Sequence, residues 1–459
     1  MASKNGPHTV SIVAATAAIA AVPVIAGISY AERPIASPDS NLSDGFIDAR
    51  GFGLTIDDTG DNGTALQAAI AAAQQGGGSR IALPAGVIRI ATGVSISSSG
   101  VSLVGAGAKS TFIDCRTINS SCLQLSPPGG ADGAQIYGTR LKGFTIQGYS
   151  QSSGYSLDLT GAATTLLDDI FLDHCANCLY ATHFNSITVR SSQFIASGSP
   201  NCAVVKLDND LQSRSDVITF IDTVITSNWS GCDGLVWDGP VYTVRWFGGY
   251  IGQVRTGLHI QNSRAQRSAY PQFGFFTDLE IDGASANSVV IDGGSDFRFV
   301  NGEISNTSGA IGQGNADGDA FVCNPDISAS VTHGVVLVGG RIGNTRQRAA
   351  LVNCVLVDVA AVRFQDGSKA GSGAYPMVEF GDSAADVSVA GGRMGADQWP
   401  GGGNGVRTSY GAIADRGAKR ITLSGVNFGG NIKGSYLDKS AGQLIVTRGW
   451  SNTGTALRP

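Results

Sequence analysis

The octets FRFVNGEI (297–304) and VVLVGGRI (335–342) share one plan. An apolar residue, any residue and a second apolar residue are followed by four residues that include Gly, Asn or Asp, then by a last apolar one. The plan recurs as ITVRSSQF (187–194), ITFIDTVI (218–225), VRWFGGYI (244–251), VSVAGGRM (387–394) and ITLSGVNF (421–428). Looser versions are TRLKGFTI (139–146), GFFTDLEI (274–281) and VLVDVAAV (355–362). Alternation at period two marks a strand with one buried face, and the Gly/Asn/Asp cluster marks a tight turn into a second strand. From residue 187 on, successive copies lie roughly 20 to 38 residues apart. A strand–turn–strand unit at that spacing is the signature of a solenoid whose rungs stack into one continuous core. The unequal spacing falls between copies, which assigns the insertions to loops. A β-sandwich does not repeat one unit in register this often.

Upstream, ALQAAIAAAQQ (65–75) predicts a helix with Leu66, Ala69, Ile70 and Ala73 on one stripe. Asp61-Asn62-Gly63-Thr64 offers its N-cap, and Gly76 to Gly78 stop it. From Arg80 the pattern turns to period two, through RIALPAG, VIRIATGVSI and VSLVGAG. The segment DNGTALQAAIAAAQQGGGSRIALPAGVIRIATGVSISSSGVSLVGAG (61–107) resembles the N-terminal region of the pectate-lyase superfamily. That group includes rhamnogalacturonase-like and epimerase-like proteins and many phage tailspikes. The resemblance implies an all-β, right-handed parallel β-helix, with a short helix at 61–78 capping the open end and the LPAG turn leading into the first rungs. It also implies a polysaccharide as partner, by lyase or glycoside hydrolase chemistry, and a homotrimer if the likeness to tailspikes extends that far. It does not extend to the Asn-Thr-Asp and Gly-His-Gly motifs of polygalacturonases, which this chain lacks. The same fold hosts enzymes and plain shafts, so activity has to be argued from a site.

Composition narrows the rest. Glycine, 64 of 459 residues, is about twice the usual ~7%, without a collagen period. Net charge is −5 and there are eight Lys among 31 basic residues, so nothing global points to nucleic acid. An uncharged run from Thr9 to Ala31 ends in Ser29-Tyr30-Ala31, which reads as a signal peptide or membrane anchor over 1–31. Residues 32–48 then read as a linker and 49–459 as a single solenoid domain. The expected location is secreted, extracellular or periplasmic, with a virion or membrane-anchored protein as the alternative. Eight cysteines fit an oxidising compartment. Cys202 and Cys232, Cys323 and Cys354, and Cys175 and Cys202 are each about one rung apart, so cross-rung disulfides are expected with the pairing open. Cys175-Ala-Asn-Cys178 lacks the second ligand pair of a zinc site.

Chemistry belongs on outward columns. Neighbours in a strand face opposite sides, so the residue before each last apolar position points away from the core. In consecutive copies that column reads Tyr250, Glu280, Glu303 and Arg341. Glu280 and Glu303 on adjacent rungs would stand roughly 5 Å apart. At that distance like charges split their pKa values into an acid and a carboxylate, the pair a retaining glycosidase needs. Asp278 and Asp282 in TDLEIDG (277–283) are expected to share the outward face, which makes Asp278 a further catalytic candidate and Asp282 a substrate-binding one. Two stretches contain no acid, 239–277 and 327–357. The first holds Arg245, Arg255, Arg264 and Arg267 among Tyr242, Trp246, Tyr250 and Tyr270, and the second holds Arg341, Arg346 and Arg348. Such rungs suit an acidic glycan, with guanidinium forks on carboxylates and rings under sugars. They supply Arg245 and Arg255 as substrate-binding candidates, while Trp246 falls at an inward position and is expected to fill the core. NWSGCDGLVWDGP (228–240), with Asp233 and Asp238, and NADGDAF (315–321), with Asp317 and Asp319, are the loops considered for Ca²⁺, although neither has EF-hand spacing.

Overall fold

The computed structural model describes residues 46–56, 60–130, 135–148, 154–197, 202–209, 215–228, 231–263, 270–305, 318–325, 333–395, 408–450 and 456–457. The apolar leader and most of the following segment lie outside these residues. Among the described residues no helix is long and apolar enough to cross a membrane.

The chain is a right-handed parallel β-helix. A 26-stranded sheet carries two ladders, and a 13-stranded sheet forms a third. In the middle of the molecule the first ladder runs from Asn185–Arg190 to Leu444–Thr447, and the second from Gln193–Ala196 to Arg393–Met394. The third runs from Val94–Ile96 to Gly434–Asp438. One rung thus reads Gln272–Thr277, a two-residue turn, Glu280–Asp282, a loop, and Val289–Ile291. Among the described residues the first strand is Phe46–Asp48, which pairs with Arg80–Ala82, so the solenoid takes the last residues of the expected linker. The helix Gly63–Gln75 buries Leu66, Ala69, Ile70 and Ala73 completely against the first rungs. Its Asn62 makes no side-chain cap. Asp61 instead accepts from the amides of Gly63 at 2.9 Å and Ala91 at 2.8 Å, and Asn62 accepts from the Thr55 amide at 2.7 Å.

Stacking in register turns the sequence repeat into columns. On the first ladder one inward column reads Phe220, Trp246, Phe276, Phe299 and Leu337. Phe220 stacks on Trp246 with ring centroids 4.4 Å apart, and Phe276 on Phe299 at 4.7 Å, the separations that a rung rise of about 4.8 Å dictates. Gly274, in the other inward column, is a packing glycine, because a Cβ there would stand 2.8 Å from the Phe297 ring.

The turn between the first and second ladders explains the variable centre of the octet. Its first residue is left-handed in rung after rung: Asp222, Gly248, Asp278, Asn301, Gly339, Ala361 and Gly391 have φ between 46° and 67°. Gly, Asn and Asp tolerate that region best. The second turn residue is a further left-handed glycine in Gly249, Gly340 and Gly392, an apolar plug in the core in Leu279 and Val362, and the buried Thr223 after Asp222.

All eight cysteines are paired. Cys202–Cys232 and Cys323–Cys354 tie adjacent rungs, whereas Cys115–Cys122 and Cys175–Cys178 close short loops. In the chain-entropy account, stabilisation grows with the loop closed. Replacing Cys323 and Cys354 by Ser, sequence separation 31, should therefore lower unfolding free energy by about 2–4 kcal/mol. The same change at Cys175 and Cys178, separation 3, should lower it less. Urea midpoints measure both, and equal losses would contradict the loop argument.

Candidate functional site

The second ladder exposes one strand-leading residue per rung. Over six rungs these are Tyr250, Glu280, Glu303, Arg341, Arg363 and Arg393, each in register with the next. The long interval between Glu303 and Arg341 hides no extra rung, because the two are direct partners. Two residues further on, the same face carries Gly252, Asp282, Ser305, Gly343 and Gln365. The Ser305 hydroxyl donates to Asp282 Oδ1 and the Gly283 amide donates to the same oxygen at 2.7 Å, which fixes that carboxylate beside the glutamate column.

Adjacent strands place the Glu280 and Glu303 backbones about 4.8 Å apart. Partial burial of its carboxyl, then the charges of Glu303 and Asp282, raise the Glu280 pKa above the ordinary glutamate value. Glu303 is held differently. Arg341 Nη1 donates to its Oε1 at 3.2 Å and Nη2 donates to Asp366 Oδ2 at 3.4 Å. With its amide oxygen turned to the guanidinium, Gln365 accepts from Arg341 Nε at 2.7 Å. Tyr250 closes the N-terminal side of the cluster. Its hydroxyl donates to the Asp282 backbone carbonyl at 3.3 Å, and burial, then Asp282 and Glu280, push the phenol pKa up. Gly252 makes room for that ring, since a Cβ there would stand 2.0 Å from the hydroxyl. On the far side, Lys369 donates to Asn344 Oδ1. Burial pulls its amine pKa down, helped by Arg341 and opposed by Asp366 and Asp282. A carboxyl that holds its proton more tightly than an ordinary glutamate, beside a carboxyl held by a guanidinium, has the parts for acid-assisted glycosidic cleavage.

Other candidates lie elsewhere. Asp278 does not share the face of Asp282: it is the left-handed turn residue of its rung, φ 52°, equivalent to Asp222 and Asn301. Conformation accounts for its residue type, and Asp278→Asn should leave turnover and stability within about twofold and 0.5 kcal/mol of the parent. A tenfold loss of turnover would return Asp278 to the site. Arg245 projects from the first ladder between Thr219 and Phe275, a different face. Arg255 precedes the third-ladder strand Leu258–Gln261 and forms a two-pronged pair with Asp233, at 2.9 and 2.6 Å. Arg348 bridges Asp319 and Glu379. The acid-free stretches are thus not acid-free in space, because stacked rungs bring carboxylates from outside them. Arg264, Arg267 and Asp317 lie outside the described residues.

The loops considered for Ca²⁺ give their carboxylates to the protein. Asp233 holds Arg255, Asp319 holds Arg348, and Asp238 accepts from the Ser263 hydroxyl at 2.6 Å and from Gln261 at 3.1 Å. Among the described residues no group of three or more His, Cys, Asp or Glu side chains could hold a metal ion. Asp168, in the LLDDIFLDHC strand, is bound by Arg190, Arg140 and Lys142. Those hydrogen bonds, Arg190 foremost and against some burial, hold its carboxyl well below the usual range.

No family model matches this chain, and no curated protein matches it. Solved structures do match its fold. The tailspike of E. coli bacteriophage HK620, solved in complex with a hexasaccharide, has a TM-score of 0.61 at 10% identity, covering 88% of this chain and 80% of that one. The Dettilon tailspike protein has a TM-score of 0.52 at 11% identity, over 86% and 68%. The Azotobacter vinelandii mannuronan C-5 epimerase AlgE6 A-module has a TM-score of 0.47 at 14% identity, over 87% and 98%. At these identities the likeness to the two tailspikes shows the parallel β-helix fold alone, and the chemistry rests on this chain's own side chains.

Proposed function

We propose that this chain cleaves an acidic polysaccharide on the outer face of its second ladder, by glycoside hydrolysis with Glu280 as proton donor and Glu303 as nucleophile. The observation that carries the reading is the direct register of Glu280 and Glu303, with a raised pKa on the first and Arg341 on the second. Glu280 protonates the glycosidic oxygen as its bond to the anomeric carbon breaks, and Glu303 forms the ester to that carbon. Glu280, now a carboxylate, takes a proton from water, whose oxygen releases the sugar and restores Glu303. Tyr250, whose pKa is raised, remains a neutral donor beside the sugar. Arg341 orients Glu303, the charge of Asp282 helps Glu280 hold its proton, and Asp282 and Arg341 contact substrate.

Lys369 favours a second reading, because an amine with a lowered pKa can remove a carbon-bound proton beside a carboxylate neutralised by Arg341, as a lyase requires. Four disulfides suit an exported or virion protein, and a tailspike-like role would make it a homotrimer. The test is incubation with acidic and neutral polysaccharides, following reducing ends and the ultraviolet absorbance of unsaturated products, with light scattering for mass. New reducing ends without unsaturation support hydrolysis, and unsaturated products transfer the chemistry to Lys369. Binding without turnover after long incubation leaves a glycan-binding protein.

A further inference from the structure

We propose that Arg341, Arg363 and Arg393 form an anion-binding strip that holds carboxylate or sulfate groups on successive sugars of one glycan. The chain of the glycan then lies along the solenoid axis, with its charged stretch on the rungs C-terminal to Glu303. The assignment of the cleavage point relative to this strip rests on the reading of Glu280 and Glu303 given above; the strip itself does not.

The three arginines occupy one position of three consecutive rungs and pair in register, Arg341 with Arg363 and Arg363 with Arg393. Their backbones are therefore about 4.8 Å apart, comparable to the advance of one pyranose ring along a polysaccharide. Like charges directly opposite on neighbouring strands are destabilising. Several other arginines of this protein are paired with carboxylates: Arg140 and Arg190 share Asp168, Arg255 takes Asp233, Arg348 takes Asp319 and Arg420 takes Asp386. Arg363 has no such partner among the described residues. It is exposed, stands between two other guanidinium groups, and among the described residues has no carboxylate within 4.0 Å.

The surroundings keep that charge open. Beside Arg363 and Arg393 the first ladder and its turns present Ala360, Ala361, Ala390 and Gly391, where earlier rungs carry Phe247, Asp278, Val300 and Asn301. Nothing lies within 4 Å of where a Cβ would stand on Gly391. A flat, uncharged shelf beside a file of guanidinium forks suits planar carboxylates or sulfates carried on rings. A glycan is favoured over a nucleic acid because the strip is one residue wide and the chain's net charge is −5, which opposes a long polyphosphate.

The full chain carrying Glu280→Gln, alone and with Arg363→Gln or with Arg363→Gln and Arg393→Gln, is titrated by calorimetry at several salt concentrations. The probes are alginate, polygalacturonate, chondroitin sulfate, neutral dextran and a single-stranded oligothymidylate. Each guanidinium removed should weaken binding of the best acidic glycan by about tenfold, about a hundredfold for the pair, and flatten its salt dependence. Dextran binding should not change. The exposed single variant keeps the test valid if the double variant folds poorly. Unchanged affinity in the arginine variants, no binding of any acidic glycan by the parent, or tighter binding of the oligothymidylate would each overturn the strip. Arginine-dependent binding together with full turnover by Glu280→Gln would overturn the cleavage assignment alone.

Discussion

Glu280→Gln is expected to lower kcat on the cleaved glycan by about a hundredfold to ten-thousandfold, while leaving the melting temperature unchanged or slightly raised. The two halves of that result share one cause. Burial of the carboxyl, then the neighbouring charges of Glu303 and Asp282, raise the Glu280 pKa above that of an ordinary glutamate. The folded state therefore binds this proton more tightly than the unfolded chain does. The stabilisation is fully present below the unfolded pKa and is lost as pH rises through the folded one. Glutamine fixes the neutral form, so the variant escapes that loss at neutral pH but has no proton to give. For the same reason the parent's kcat/KM should fall on the alkaline side as Glu280 ionises, at a pH above that of an ordinary glutamate, and the substitution should abolish this limb. Glu303→Gln should match or exceed the loss in kcat, because it removes the attacking oxygen. A Glu280→Gln variant retaining more than a tenth of parental turnover would remove Glu280 from the chemistry.

Both the fold and the glutamate column are legible in the chain for one reason: stacking converts period into position. In FRFVNGEI and VVLVGGRI the alternation names the inward residues, and the fixed length of the turn carries the register across to Glu303 and Arg341. The same rule applied to VSVAGGRM leads to Arg393. Arg363 is hidden because VLVDVAAV begins two residues early relative to its neighbours: Val335 pairs with Val357, not with Val355. Asp278 misleads through a different feature. Its spacing from Glu280 and Asp282 is that of one strand face, but a left-handed residue interrupts the alternation there, and sequence shows the residue type without the reason for it. The partners of Arg255 and Arg348 are invisible for a third reason. They come from neighbouring rungs across loops of unequal length, so no local window contains both members of a pair. Lys369 and Asp366 reach the cluster from the segment after the strand Arg363–Gln365, which no periodicity encodes.

Trp246→Ala should destabilise the protein by about 3–5 kcal/mol, the largest stability loss expected of any single side chain near the site. The indole is completely buried, stacks on Phe220 with an interplanar angle of 21°, and sits in register with Phe276 on the next rung. Truncation removes a ring from the middle of an aromatic file, where neither neighbour can close the gap without leaving its own stack. It also removes a hydrogen bond, because Trp246 Nε1 donates to the Gly248 carbonyl in the turn that leads to Tyr250. In a solenoid each rung leans chiefly on its neighbours, so the damage should be local before it is global. Hydrogen exchange over 244–252 should accelerate in the variant at denaturant concentrations where distant rungs remain protected, and turnover should fall with it as Tyr250 and Glu280 lose their alignment. Arg245→Ala, one residue away but outward and exposed, should stay within about 0.5 kcal/mol of the parent. Urea midpoints for the two variants separate the inward from the outward position. A Trp246→Ala loss below about 1 kcal/mol would mean that the core at this rung can collapse around the missing ring, and that the site above it does not depend on the aromatic file.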